Sequence, residues 1–199
     1  MTTTRAAGEA VDGGATGAEA TGAEATGVGA AGAGTTAAGT DGVRWVETAW
    51  EDPRAQALRD AMDAEMGVRY ADVEDVFSTL VMPPGTAWLT TWVALDGEEP
   101  VATATLRWLG EGPGRLAEVK KVYVAPAGRR RGLASQALRR VEATARSLGV
   151  DRLHLHTGSL QPEAIALYER EGWEQVPVFA PYDVLPVSVC FTKPVPAAP

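Results

Sequence analysis

The chain has 199 residues, a formal net charge of −8 and a single cysteine, Cys190. The length suits one domain of ordinary size plus a tail. The negative balance excludes a nucleic-acid binder that relies on a general positive field, and one cysteine excludes an internal disulfide framework and a cysteine-based zinc site. No apolar run approaches the roughly 20 residues that span a bilayer, and the N-terminus lacks the apolar core of a secretory signal. A soluble, cytoplasmic protein is expected.

Residues 1–42 are Ala, Gly and Thr with a few acids, and Ala-Thr-Gly-Ala-Glu occurs at 15–19 and again at 20–24. With no aromatic and only isolated valines, this stretch has too little apolar surface to offset the entropy of ordering it. It is read as a disordered tail, with a domain over 43–193 and a short tail over 194–199. The domain begins with a strand at 43–49. Asp52 then offers an N-cap and Pro53 a first helical residue, Ala55, Leu58, Met62 and Met66 follow at helical spacing, and Gly67 reads as the stop. A shorter second helix is expected over 69–80, before Pro83 and Pro84.

Two β-rich runs at 86–95 and 101–109, joined by Asp96-Gly97-Glu98-Glu99-Pro100, predict an antiparallel hairpin. In the second run Val101, Thr103, Thr105 and Arg107 alternate with Ala102, Ala104, Leu106 and Trp108, so one face is expected on a core. A strand over 116–124 follows. The same alternation groups Glu118 with Lys120, Val122 and Val124, opposite Val119, Lys121 and Tyr123. Next come a turn, an amphipathic helix through Leu148, a strand at 153–157, a helix from Gln161 to Glu171, and closing strands at 173–178 and 188–193. Strand, helix and strand around the turn predict a right-handed parallel crossover. The fold class is mixed α/β.

The turn is the first chemically informative stretch. Val122-Tyr123-Val124-Ala125-Pro126-Ala127-Gly128-Arg129-Arg130-Arg131-Gly132-Leu133-Ala134 carries an apolar strand into a Gly- and Arg-rich loop that opens a helix. The free first-turn amides and the positive end of the helix dipole attract an anion such as a phosphate. Three arginines add charge and planar donors. The pattern Arg129-x-x-Gly132-x-Ala134 resembles the acyl-CoA pyrophosphate loop of the GNAT superfamily, the Gcn5-related N-acetyltransferases. Downstream, Gln161-Pro162-Glu163-Ala164-Ile165-Ala166-Leu167-Tyr168, closing on Gly172-Trp173, resembles that superfamily's second signature, with Gln161 where Asn is usual. The resemblance covers about 43–193.

That resemblance implies a mostly antiparallel central sheet with flanking helices, splayed where acyl-CoA binds. It implies backbone contacts from Val122 and Val124 to the pantetheine arm, a contact from Gln161 to the same arm, and amides of Arg129, Arg130, Arg131, Gly132, Leu133 and Ala134 on the pyrophosphate. Tyr168 takes the place of the general acid, a phenol that holds its proton at neutral pH and gives it to a departing thiolate. Glu118 is the candidate base, with two alternatives beside it: pairing with a lysine on a solvated face, or a water chain with no dedicated base. The donor implied is acetyl-CoA. The implied partner is an amine-bearing acceptor, a small molecule or peptide, with no nucleic acid and no membrane; a homodimer stays open.

His154 and His156 share one side of their strand, but no third ligand is evident and no metal is expected; His156 is a secondary candidate for proton transfer. Cys190 reads as a small buried hydrophobe. The resemblance implies that the acceptor is recognised by 66–80 and by 179–184, where Tyr182 and Asp183 either close over an amine or make an ordinary turn before Pro186. The leading reading is an acetyl-CoA-dependent N-acetyltransferase, and the alternative is a non-catalytic acyl-CoA-binding or sensory domain. A Rossmann module is a distant third, since the Gly-x-Gly-x-x-Gly spacing is absent.

Overall fold

The computed structural model describes residues 42–73 and 79–197. Seven strands form one sheet: β1 (Val43–Thr48), β2 (Ala87–Asp96), β3 (Glu99–Leu109), β4 (Leu116–Val124), β5 (Arg152–Gly158), β6 (Glu174–Val176) and β7 (Ser188–Pro194). Their spatial order is β1-β2-β3-β4-β5-β7-β6. The pairings are antiparallel except β4 with β5, which are parallel and joined through helix α2 (Leu133–Ser147). Helices α1 (Pro53–Arg69) and α3 (Pro162–Arg170) complete the layers.

Helix α1 begins as its sequence predicts. Asp52 accepts the amide of Arg54 at 2.8 Å, Pro53 opens the helix, and Arg54 and Thr48 hold the capping carboxylate at 2.6 and 2.7 Å. Its end differs from expectation. Gly67 lies inside the helix, which runs to Arg69, because one glycine costs only about 1 kcal/mol in a helix interior. The second helix expected over 69–80 is replaced at its start by Arg69 of α1 and a 3-10 turn at Ala71–Val73. The rest of that expectation, at 74–78, lies outside the described residues, as does the expected tail apart from Gly42. At the other end β7 runs to Pro194, and Val195 is buried in the core.

The main core lies on the α2 side of the sheet. Leu133, Ala137, Leu138, Val141 and Ala145 of α2 pack on Ala102, Ala104, Leu106, Ala117, Val119, Leu153 and Leu155, and Tyr168, Trp173 and Phe191 extend the cluster. A second cluster joins Ala55 and Leu58 of α1 to Val93, Leu95 and Tyr123. β3 departs from the expectation of one buried face, because residues Val101 to Arg107 are buried throughout. Helices on both sides of this central strand remove the solvated face that alternation normally reports.

β4 departs from simple alternation as well. Thr105 pairs with Lys120 but Thr103 pairs with Tyr123, and Lys121 between them has φ of 52°. This is a β-bulge, and one extra residue flips the pleat. Val122 and Val124 therefore join the α2-side core with Val119, whereas Tyr123 packs toward α1. Just before the bulge β4 also parts from β5: the parallel ladder holds only at Ala117, Glu118 and Val119. The splay predicted between these strands starts at Lys120.

Candidate active site

The splay opens a cavity of about 330 Å³ lined by Val119, Lys120, Lys121 and Val122 of β4, His156, Thr157 and Gly158 of β5, Tyr168 of α3, Tyr182, and residues of α1. A second hollow of about 500 Å³ is lined by Val124, the loop residues Gly128 to Arg130, Gly132 to Ser135, and Gln161. Met62, Met66 and Gln161 line both, so the two form one cleft from the helix N-terminus to the middle of the sheet.

At the loop end, Gly132 is the N-cap of α2 with φ of 71° and provides no side-chain cap. A Cβ built there meets no atom within 4 Å. The first turn of α2 thus presents amides and a positive dipole end to open space, the arrangement that takes a phosphate. The arginines are not equivalent. Arg129 gives both Glu65 oxygens hydrogen bonds of 2.7 Å and the Val124 carbonyl one of 3.1 Å, and Arg131 pairs with Asp96 at 2.6 Å. Arg130 is exposed, with φ of 64°. Gln161 stands at the N-cap position of α3 without a side-chain cap bond and donates to the Tyr70 hydroxyl at 3.2 Å.

At the inner end, Tyr168 is 6% exposed, its ring held against Trp173 and Phe191 with centroids 6.1 and 5.7 Å away. Its hydroxyl makes no hydrogen bond among the described residues, and burial raises its pKa above the ordinary phenol value. Tyr168 and Glu118 are on different faces. Tyr168 belongs to the α2-side core, and Glu118 points the other way from Ala117 and Val119.

Glu118 is fully buried but does not line the cavity. Its Oε2 accepts from Arg107 Nε at 2.7 Å and its Oε1 from the Tyr182 hydroxyl at 2.6 Å. Arg107 also donates to the Tyr182 oxygen at 2.8 Å. A lysine does stand near, Lys120 at 3.8 Å, but the face is buried rather than solvated and the close partner is Arg107; removing one member of such a pair costs about 3–5 kcal/mol. Tyr182 is 1% exposed and faces the cavity, while Asp183 is exposed to solvent. Arg107, Lys120 and the central position of Tyr182 are features of this cluster that the motifs do not mark; the charged Arg107 within the β-rich run of β3 is the one signal.

His156 stacks on Tyr182 with centroids 3.9 Å apart and planes 3° from parallel. The Ser188 hydroxyl donates to the Tyr182 carbonyl at 2.9 Å, which uses its only proton. His156 Nε2 must therefore donate to Ser188 Oγ at 3.0 Å, leaving Nδ1 as the acceptor. Burial, then the charges of Lys120 and Arg107, push the His156 pKa down to about 3, so the ring is neutral at pH 7. His154 instead meets Phe179 edge-on. Cys190 is buried, and burial raises its thiol pKa.

Residues 44–173 match the Acetyltransferase (GNAT) family. An IAA acetyltransferase of Azospirillum brasilense is 37% identical over 81 residues, 41% of this chain and 53% of that protein. The chain thus spans only about half the length of that relative. The uncharacterized N-acetyltransferase YsnE of Bacillus subtilis is 34% identical over 107 residues, 53% of this chain and 69% of that protein. In a solved structure, a protein described as an acyl-CoA N-acyltransferase of Klebsiella pneumoniae superposes with a TM-score of 0.60 at 28% identity, over 78% of this chain and 99% of that one.

Proposed function

The chain belongs to the GNAT acetyltransferase family, and from that premise we propose that it transfers the acetyl group of acetyl-CoA to a primary amine of a small molecule or peptide, by direct attack in a ternary complex. One observation carries the reading: a single cleft runs from the uncapped N-terminus of α2, through the gap between β4 and β5, to the buried Tyr168.

The residues present fit the donor. First-turn amides of α2 and the loop amides from Arg130 to Ala134 suit a pyrophosphate, whereas the expected Arg129 amide already donates to the Pro126 carbonyl at 3.3 Å; Arg129 and Arg131 are held by Glu65 and Asp96 so that the backbone does the binding. The backbone of Val122 and Val124 borders the gap that β5 leaves, although the Val124 carbonyl already accepts from Arg129, and Gln161 lies at the junction of the two hollows. Acetyl-CoA supplies an activated thioester carbonyl with a thiolate as leaving group. Tyr168 holds the proton that the thiolate needs, because its burial keeps the phenol protonated at neutral pH. Glu118 is a poor base in this geometry, since both oxygens are already bound and neither borders the cavity. The amine proton therefore leaves through water, and Glu118 positions Tyr182.

The test is an acceptor panel with acetyl-CoA, read by release of free thiol and by the acetylated product. Transfer to an amine is the expected result. Tight acetyl-CoA binding without transfer to any amine, protein acceptors included, would favour the sensory reading.

A further inference from the structure

The inner cavity carries a charge that the described residues only partly balance. Lys120 lines it, with the ion pair of Arg107 and Glu118 buried behind. Glu118 is used up: Arg107 and the Tyr182 hydroxyl each take one oxygen at hydrogen-bond distance. Lys120 Nζ stands 3.8 Å from Oε1, beyond hydrogen-bond reach. Its side chain is 19% exposed, and it makes no hydrogen bond among the described residues. It lies over the Tyr182 ring, 4.8 Å from the centroid, and faces the cavity.

Among the described residues, nothing else in the wall supplies the missing negative charge. Asp63 lines the same cavity, but Lys121 holds it at 2.6 Å, and His156 is neutral. Two cations thus share one carboxylate. A mostly buried ammonium with open donors is costly until an anion meets it. Burial accordingly lowers the Lys120 pKa, against the opposing pull of Glu118.

We propose that Lys120 is an anion-binding determinant of the acceptor site, so that the acceptor is a small amine that also carries a carboxylate, as an α-amino acid does. The inference rests on the transferase reading above. One surplus charge matches a monoanion rather than a phosphate dianion, because the neighbouring cations Arg107 and Lys121 are already paired. Met62, Met66, Leu80 and Leu185 line the remainder of the cavity and suit an apolar side chain.

Calorimetry on the CoA-saturated protein provides the test. The probes are leucine, methionine and phenylalanine, each with its carboxamide and its aminophosphonate analogue. At least one free acid is expected to bind about tenfold or more tightly than its carboxamide, the scale of a hydrogen bond between charged groups. Lys120→Met is expected to erase that ratio, and Lys120→Arg to retain it. CoA binding and thermal melting report whether each variant is folded; if Lys120→Met is not, the wild-type ratio and Lys120→Arg decide. The assignment is overturned if no acid outbinds its amide, if the phosphonate is preferred, or if the ratio survives in folded Lys120→Met. Failure of wild-type protein to bind CoA would instead sink the transferase reading, whereas normal CoA binding without an acid preference sinks this inference alone.

Discussion

Tyr168 combines a rigid ring with a hydroxyl that is unpaired among the described residues at the wall of the cleft, and Phe at this position keeps the first and deletes the second. Tyr168→Phe is expected to lower kcat by about 100-fold or more, the usual scale for a general acid, while acetyl-CoA affinity stays at the wild-type value. Steady-state kinetics beside equilibrium binding check this, and an unchanged kcat removes the acid role. The histidines make a second residue-scale prediction. His154 and His156 are the two histidines of the chain, and burial lowers the pKa of both. The unfolded chain therefore binds more protons than the folded one between about pH 5 and 6.5. Their contribution is fully present above pH 6.5 and declines as pH falls toward the folded value of about 3 for His156. Urea unfolding across pH 5 to 6.5 should show stability rising with pH, with a smaller slope in His156→Gln. An unchanged slope would show that His156 is not held neutral. Tyr168 is legible in the sequence because its motif is local to one helix. The Arg107–Glu118–Tyr182 cluster is not, since its hydrogen bonds join residues 11, 64 and 75 positions apart.

At the scale of elements, the order of strands and helices is legible because each carries its own period, cap or turn. Asp52-Pro53 marks a helix start, and Asp96-Gly97 marks the antiparallel hairpin that β2 and β3 form. The bulge in β4 is not legible, because a lysine at φ of 52° has no sequence signature. That single residue changes which face Val122, Tyr123 and Val124 occupy. The end of β5 is a comparable case. A Cβ on Gly158 would stand 1.8 Å from the Tyr70 hydroxyl and 2.7 Å from its Cζ, so the ring lies directly on the strand. Tyr70 is buried, accepts from Gln161 and lines the inner cavity. Gly158→Ala is expected to cost about 1–3 kcal/mol by overpacking and to raise the KM for acetyl-CoA by displacing Tyr70 and Gln161. Denaturant unfolding and kinetics measure the two effects. A variant as stable as wild type would mean that Tyr70 is free to move aside.

Across the whole sheet, the parallel seam is the weak join. β1 to β4 form one continuous antiparallel set, and β5, β7 and β6 form another; their ladder is the three residues Ala117 to Val119. A ligand lying in the splay touches both sets and binds only the folded protein, so it should stabilise the molecule by mass action. At 100 times its Kd that amounts to about 2.7 kcal/mol, or a rise in Tm of about 5–10 °C for a domain of this size. Gly132→Glu tests whether the loop provides the binding. The new side chain has room, since nothing lies within 4 Å of its Cβ, but it must adopt φ near 71°. That strain is worth about 1–2 kcal/mol, so the ligand-free protein should melt slightly lower while remaining folded. Its carboxylate then sits at the α2 N-terminus, where the pyrophosphate would bind, and the Tm rise with acetyl-CoA should disappear. Gly132→Asn separates strain from occlusion, because Asn tolerates positive φ and carries no charge; most of the shift should persist there. A full acetyl-CoA shift in Gly132→Glu would place the donor elsewhere and remove the α2 N-terminus from the site.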